Sequence, residues 1–340
     1  MEKQKFLLKR IACTLAFPLT VWVCCEVICR IVANTSVLDN AIDFRNLLRT
    51  FAVSYALTLA MACNLPSGRF DMSLGAQQYV IVIVAGGIAF KLGLSAAGIL
   101  AFNTVFGLAL GLLVGFIFSK LRILPMVYGL GMALILECIA FAVNPNGISY
   151  YGKKGVDTIN STPFILCATV LILIVISYLF NYTEYGYAKR AIEGNQMIAK
   201  DAGISIMKNC MICYMLAGGL IAVSGTFETA YRGSLTPVLN NGTVTVITSG
   251  LLTFMLGMFI AKWSNQGVGI AVASVTMRIF VIGLSKLLLS SDIQSLILYT
   301  TFVAFLIVSA NSYRIKYNRV KRARIAEARV MRETLKQQAV

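Results

Sequence analysis

Few side chains in this 340-residue sequence are equipped for covalent chemistry. Histidine is absent, which removes the commonest metal ligand and the commonest general base. Hydrolytic or metal chemistry is therefore not expected, and the chain does not read as an enzyme. Cys210-x-x-Cys213 has a redox spacing but sits in an apolar run, without the soluble strand–helix context a dithiol motif requires. All nine cysteines fall inside apolar runs and read as small apolar filler. Gly147-Ile-Ser-Tyr-Tyr-Gly152-Lys153-Lys154 nearly spells a phosphate-binding loop. Lys154 stands where Ser or Thr must reach Mg²⁺, so the match reads as coincidence and no other nucleotide loop exists.

Ionisable groups inside apolar runs are costly in lipid and mark functional candidates. Glu26 and Arg30 lie four apart, a spacing that predicts mutual neutralisation on one helix face. Glu137 and Arg278 have no such local partner; they pair across helices, line a polar path or lie near an interface. The densest interruption is Asn64-Leu65-Pro66-Ser67-Gly68-Arg69-Phe70-Asp71-Met72-Ser73-Leu74-Gly75. Pro66 and Gly68 end one helix, and Asp71 or Ser73 can cap the next. Two readings stand: a tight turn between spans, or a short broken segment tolerated because it lines a cavity.

The elements that must position these residues are membrane helices. Apolar residues make up 58% of the chain and charged residues 13%, with a mean hydropathy of +0.78. A soluble domain carries about 25% charged residues, so polar surface is too scarce to wrap a water-soluble globule. Spans are expected at about 11–33, 47–65, 72–91, 94–118, 123–143, 163–181, 208–230, 243–262, 267–289 and 293–311, each near the roughly 20 residues a bilayer needs. Ten spans place both termini on one side. With the N-terminus inside, 21 basic residues, Arg122 and nine tail residues among them, face inward against 7 outward. That bias predicts cytoplasmic termini. The net charge of +16 follows this pattern, with no basic–aromatic module that would indicate nucleic acid.

Two connecting segments are long. The outer one, about 144–162, begins Asn144-Pro145-Asn146-Gly147, and the inner one, about 182–207, is charged and favours helix. Residues 312–340 form a basic tail of net charge +7, expected to be helical. It reads as a solvated helix drawn to anionic lipid headgroups or as a partner site.

Gly68-x-x-Asp71-Met72-Ser73-Leu74-Gly75 resembles the Gly-x-x-Asp-Leu-Ser-Val-Gly signature of ribose-type ABC importer permeases, in the group that includes branched-chain amino acid permeases. Gly194-Asn195-x-x-x-Ala199-x-x-x-Gly203-Ile204, preceded by Gly186 and Ala191, is similar to that family's coupling segment. Leu124-Pro125 with Gly129 and Gly131, and Glu228 with Ala230, also fit its order and spacing over about residues 45–310.

The resemblance implies an all-α, polytopic permease subunit of an ABC importer in a bacterial-type inner membrane. It would work with a separate ATPase that uses ATP and Mg, an extracytoplasmic solute-binding protein, and a second permease of the same or a different chain. The solute implied is small and polar, most simply a sugar; the rival is a secondary carrier driven by a proton or sodium gradient. ATPase coupling is expected of Gly194, Asn195, Ala199, Gly203 and Ile204, flanked by Lys189 and Arg190. The path is expected to use Asn64, Gly68, Asp71, Ser73, Gly75 and Glu137, with residues 1–311 as the permease domain. Leu256–Gly269 lacks several of the family's glycines, which suggests pairing with a different permease that keeps them.

Overall fold

A computed structural model describes the backbone of residues 2–121 and 123–338. Arg122 of the charge count lies outside the described residues, as do the side chains of Lys3, Lys5, Lys9 and most of those beyond residue 311. Among the described residues the protein is all-α apart from one two-residue strand pair. Its helices are α1 (Glu2–Val32), α2 (Ala41–Asn64), α3 (Leu74–Lys91, with a π-helical turn over Ile81–Ala85), α4 (Ala96–Leu121) and α5 (Pro125–Val143). A loop with strand β1 (Ile148–Ser149) and the one-turn α6 (Val156–Ile159) leads to α7 (Thr162–Tyr182). The short helices α8 (Glu184–Gly194) and α9 (Gln196–Asp201) precede α10 (Ile206–Arg232). Strand β2 (Ser234–Leu235) pairs antiparallel with β1, Ile148 opposite Leu235. Then come α11 (Val244–Ile260), α12 (Gln266–Lys286) and α13 (Ser291–Gln338).

Among the described residues, nine helices are long and apolar enough to cross a membrane, and α11 is a shorter apolar helix. Each expected span corresponds to one of these ten. The eighth differs from the 243–262 expectation. Helix α11 has 17 residues, about 25 Å at 1.5 Å per residue, against a hydrocarbon core of about 30 Å. The helix is bounded at both ends: Asn240 and Asn241 adopt left-handed φ values of 61° and 60° before it, and residues 261–264 turn after it.

Residues 1–287 form one compact unit, and residues 288–340 a second consisting of α13, whose first part, Ser291–Asn311, is apolar enough to span. In the first unit α2 and α10 are buried on nearly all sides. Helix α4 presses against α10 along Gly107, Gly111 and Gly115, spaced one turn apart. A Cβ on Gly107 would overlap the Gly218 carbonyl, and one on Gly111 the Tyr214 carbonyl. Small residues at this spacing let membrane helices meet backbone to backbone. Helix α1 packs on α12 through Cys25, Cys29 and Ile279.

Glu26 and Arg30 pair at 2.7 Å, as their spacing predicts. Glu26 also accepts from the Ser36 hydroxyl and the Val37 N–H, so it fastens the turn after α1 as well. The cysteine expectation needs correction: Cys25, Cys29, Cys63, Cys210 and Cys213 are buried, but Cys24, Cys138 and Cys167 lie on exposed helix faces. Their neighbours there, such as Val23 and Ile139, are equally apolar, so these thiols continue an apolar surface.

Candidate functional site

The signature segment is a break between α2 and α3, built by its own residues. After Asn64 the chain makes a 3-10 turn over Leu65–Ser67, with Pro66 in its first turn, and closes at Gly68, whose φ is +74°. Five irregular residues follow before α3 begins at Leu74. Asp71 organises that start. Its Oδ1 accepts the Ser73 N–H at 2.9 Å and the Ser73 hydroxyl at 2.6 Å. Gln77 Nε2 donates to the Ser73 hydroxyl oxygen at 2.9 Å and to Asp71 Oδ2 at 3.4 Å. Asp71, Ser73 and Gln77 are all buried, and burial pushes the Asp71 carboxyl above the ordinary carboxylate range. Asn64 and Arg69 are buried beside them, and the Asn64 amide and both terminal nitrogens of Arg69 lack a hydrogen-bond partner.

A second break meets the first. After α10 stops at Gly233, residues 236–243 run without helix, until α11 starts at Val244. Glu137 of α5, 1% exposed, holds that start. Its Oε1 accepts the Thr243 N–H at 2.9 Å and the Thr243 hydroxyl at 2.7 Å, and its Oε2 accepts the Asn241 N–H at 2.9 Å. A carboxylate at a helix N-terminus satisfies orphan N–H groups and matches the positive end of the helix dipole. Gly75 closes the junction, because a Cβ there would overlap the Thr243 carbonyl oxygen. Four expected path residues thus belong to one junction: Asp71, Ser73, Gly75 and Glu137. Gly68 supplies the turn leading in, and Asn64 ends α2 behind it. Glu137 serves as a helix cap here, with both oxygens engaged.

Two features of this region escape sequence reading. The first is the outward face of α11. Thr245, Thr248 and Ser249 are exposed, and among the described residues α11 exposes no large apolar side chain, whereas α4, α5 and α7 expose many. Each of the three hydroxyls donates to a carbonyl one turn back, at 2.7–3.0 Å, which leaves its lone pairs facing outward. The second is a polar network one helix away. Gln78 of α3 donates to Glu228 Oε2 at 2.6 Å, and Arg232 pairs with Glu228 Oε1 at 2.8 Å. Arg278 lies within electrostatic range of Glu228, and its Nε has no hydrogen-bond partner. Only knowledge of which helices are neighbours could have joined residues 78, 228 and 278.

The charged segment after α7 folds into α8 and α9, each capped by its own sequence. The Thr183 hydroxyl oxygen accepts the Gly186 N–H at 3.3 Å, and the Asn195 side chain accepts from Met197 and Ile198 at 2.9 and 3.2 Å. Gly203, at φ +83°, closes α9, and the Ile204 N–H reaches the Ala199 carbonyl at 3.0 Å. Asn195, Ala199, Gly203 and Ile204 therefore shape one turn; Gly194 faces open space.

Lys189 behaves differently from a flanking surface charge. It is 1% exposed, pairs with Glu193, donates to Gln266 Oε1 at 3.2 Å and lies 4.5 Å from the Phe180 ring centre. Arg190 stays near the surface over the Tyr187 ring. The outward apolar residues of α9 are Met197, 71% exposed, and Ile198, 67% exposed, which sequence reading passed over. The two regions connect directly, since Gln196 Nε2 donates to the Ser67 carbonyl at 2.9 Å. The near phosphate-binding loop at Gly147–Lys154 forms β1 and a turn, with no helix starting at Lys153 or Lys154.

No cluster of three or more acidic or cysteine side chains able to hold a metal ion exists among the described residues. The family model described as branched-chain amino acid transport system / permease component matches residues 44–306. The ribose import permease protein of Escherichia coli strain K12 is 24% identical over 207 residues, which are 58% of this chain and 64% of that protein. The matched chain thus spans just under two thirds of that relative's length. The guanosine ABC transporter permease protein of Bacillus subtilis strain 168 is 23% identical over 159 residues, 45% of this chain and 42% of that protein. A solved inward-facing metal-chelate type ABC transporter aligns with a TM-score of 0.53 at 15% identity, covering 86% of this chain and 98% of the other. That likeness is one of fold.

Proposed function

This chain belongs to the branched-chain amino acid transport system permease family, and on that footing we propose that it is the membrane-spanning subunit of an ATP-driven importer for a small polar solute, a sugar in the first instance. The relatives support a sugar through the ribose permease and keep a nucleoside as the alternative through the guanosine permease. A separate ATPase supplies ATP and Mg chemistry, an extracytoplasmic binding protein delivers the solute, and a second permease completes the path. The missing glycines of Leu256–Gly269 favour a different chain as that second permease. The basic bias of the loops supports a cytoplasmic position for α8, α9 and both termini.

The observation that carries this reading is the Gln196–Ser67 hydrogen bond. It ties the segment that offers Met197 and Ile198 outward to the loop that leads into the junction of α3 and α11. An ATPase seated on Met197 and Ile198 pulls on the junction through that bond and the turn at Asn195 and Gly203. Two packings of the permease pair, biased by ATP binding on one side, then open the path to either face. The solute passes the lone pairs of Thr245, Thr248 and Ser249, which suit the hydroxyl donors of a sugar. A gradient-driven carrier would need Glu137 as an ion relay, and that carboxylate is committed to the α11 N-terminus.

The test is purification of the full chain from its native membrane, followed by reconstitution with what accompanies it. An ATPase partner and ATP-dependent uptake of labelled ribose or guanosine are expected. Recovery of the chain alone, with solute movement that ignores ATP and follows a proton or sodium gradient, would overturn the assignment.

A further inference from the structure

A cavity of about 400 Å³ lies between α1 and the α11–α12 turn, at the end of these helices that also carries α8 and α9. Its two halves differ in character. Arg10, Ser264 and Asn265 form a polar end, and Leu15, Val268 and Val272 an apolar one. The Arg10 Nε donates to the Trp263 carbonyl at 2.7 Å, which fixes the guanidinium at the rim. Trp263 is held in turn by Phe259 and Phe17, with ring centres 5.1 and 6.1 Å away. Lys262 lies beside it over the Phe259 ring.

Three further facts narrow what the cavity takes. Arg10 is the one charged residue among those that line the cavity. Helix α12, 21 residues long, begins at the polar end, and its N-cap Asn265 makes no side-chain capping bond, so the positive end of its dipole lies there uncapped by that side chain. The adjoining surface of α1 is a run of exposed Ile11, Leu15, Leu19 and Val23, an apolar face of the kind that lipid covers. An aromatic residue between a charged and an apolar zone is characteristic of the membrane–water boundary.

We propose that this cavity holds one anionic phospholipid of the leaflet on that side. Its phosphate lies against Arg10 and the start of α12, and its acyl chain lies along Leu15, Val268 and Val272. The occupant joins α1 to the hairpin whose other end carries Thr245, Thr248 and Ser249. Lipid composition thereby acts on the element that borders the path. The lipid readout below is independent of transport, so it succeeds or fails separately from the importer reading.

The experiment is native mass spectrometry of the full chain, exchanged into detergent with phosphatidylglycerol, with phosphatidylcholine of the same acyl chains, or with inorganic phosphate. One retained phosphatidylglycerol per chain is expected, with no matching phosphatidylcholine. Arg10→Gln should cut retention about fivefold, the worth of one basic contact to an anionic headgroup, and Arg10→Lys should keep most of it. Val268→Phe fills the apolar end and should reduce retention with Arg10 in place, which guards against a folding defect in the charge variant. Equal retention of phosphatidylcholine, unchanged retention in both Arg10→Gln and Val268→Phe, or displacement of the lipid by inorganic phosphate would overturn the proposal.

Discussion

Replacing Glu137 by Gln tests whether the junction depends on a carboxylate. The amide oxygen can inherit the Thr243 N–H and hydroxyl, now accepted at 2.9 and 2.7 Å, but the amide nitrogen then faces the Asn241 N–H across 2.9 Å. Two donors confront each other, and one N–H loses its partner at about 1–3 kcal/mol. Loss of the full negative charge at the α11 N-terminus adds up to about 2 kcal/mol. Glu137→Gln should therefore cost about 1–5 kcal/mol. Thr243→Val removes one charge-assisted bond, worth about 1.5–3 kcal/mol. Both changes act on the same carboxylate, so the double variant should fall short of the sum by about 1 kcal/mol or more. Membrane proteins of this size unfold irreversibly, so the measurement is the half-life of the detergent-solubilised chain at one fixed temperature. Each 1.4 kcal/mol expressed in the barrier shortens it about tenfold. An unchanged half-life for Glu137→Gln, together with additivity in the double variant, would refute the cap.

The docking face makes a sharper functional prediction: Met197→Glu and Ile198→Glu should leave thermal stability unchanged and abolish ATP-driven uptake in proteoliposomes. Gly203→Val forces a branched side chain to φ +83°, costing about 1–3 kcal/mol in thermal stability, whereas Gly194→Ala enters open space and should be neutral in the same melt. Lys189→Met should shorten the thermal half-life by the equivalent of about 3 kcal/mol, because it leaves Glu193 and Gln266 without their shared donor. Combining Thr248→Val with Ser249→Ala should raise the solute concentration for half-maximal uptake about two- to tenfold per lost hydrogen bond, read from uptake titrations.

Helix existence was legible in the sequence because hydrophobic runs of bilayer length have few other physical solutions. The order of ten apolar helices follows from that, and the break at Pro66 and Gly68 was legible too because it acts through neighbours in sequence; the capping by Asn195 and Gly203 was not read from the sequence. What was not legible is side-chain direction. Lys189 and Arg190 are adjacent and equally basic, yet one is buried against α12 and the other is not. Glu137 reads as an isolated charge until residues 241–243, a hundred positions away, fold onto it. The hydroxyls of α11 and the Gln78–Glu228 pair likewise depend on which helices are neighbours, which hydropathy does not encode.

The glycine seam between α4 and α10 has a mechanical consequence. Where Gly107 and Gly111 let two backbones touch, a slide of even one residue would drive a side chain into a carbonyl. Compact interiors deform little and instead switch between discrete packings. These two helices are therefore locked in register against each other. Residues 68–73 and 236–243, by contrast, carry no helical hydrogen-bond ladder and are held by side chains instead, Asp71 in the first and Glu137 in the second. Both stretches end at the same point, where Gly75 meets Thr243. A side chain added at Gly75 would therefore disturb both stretches at once.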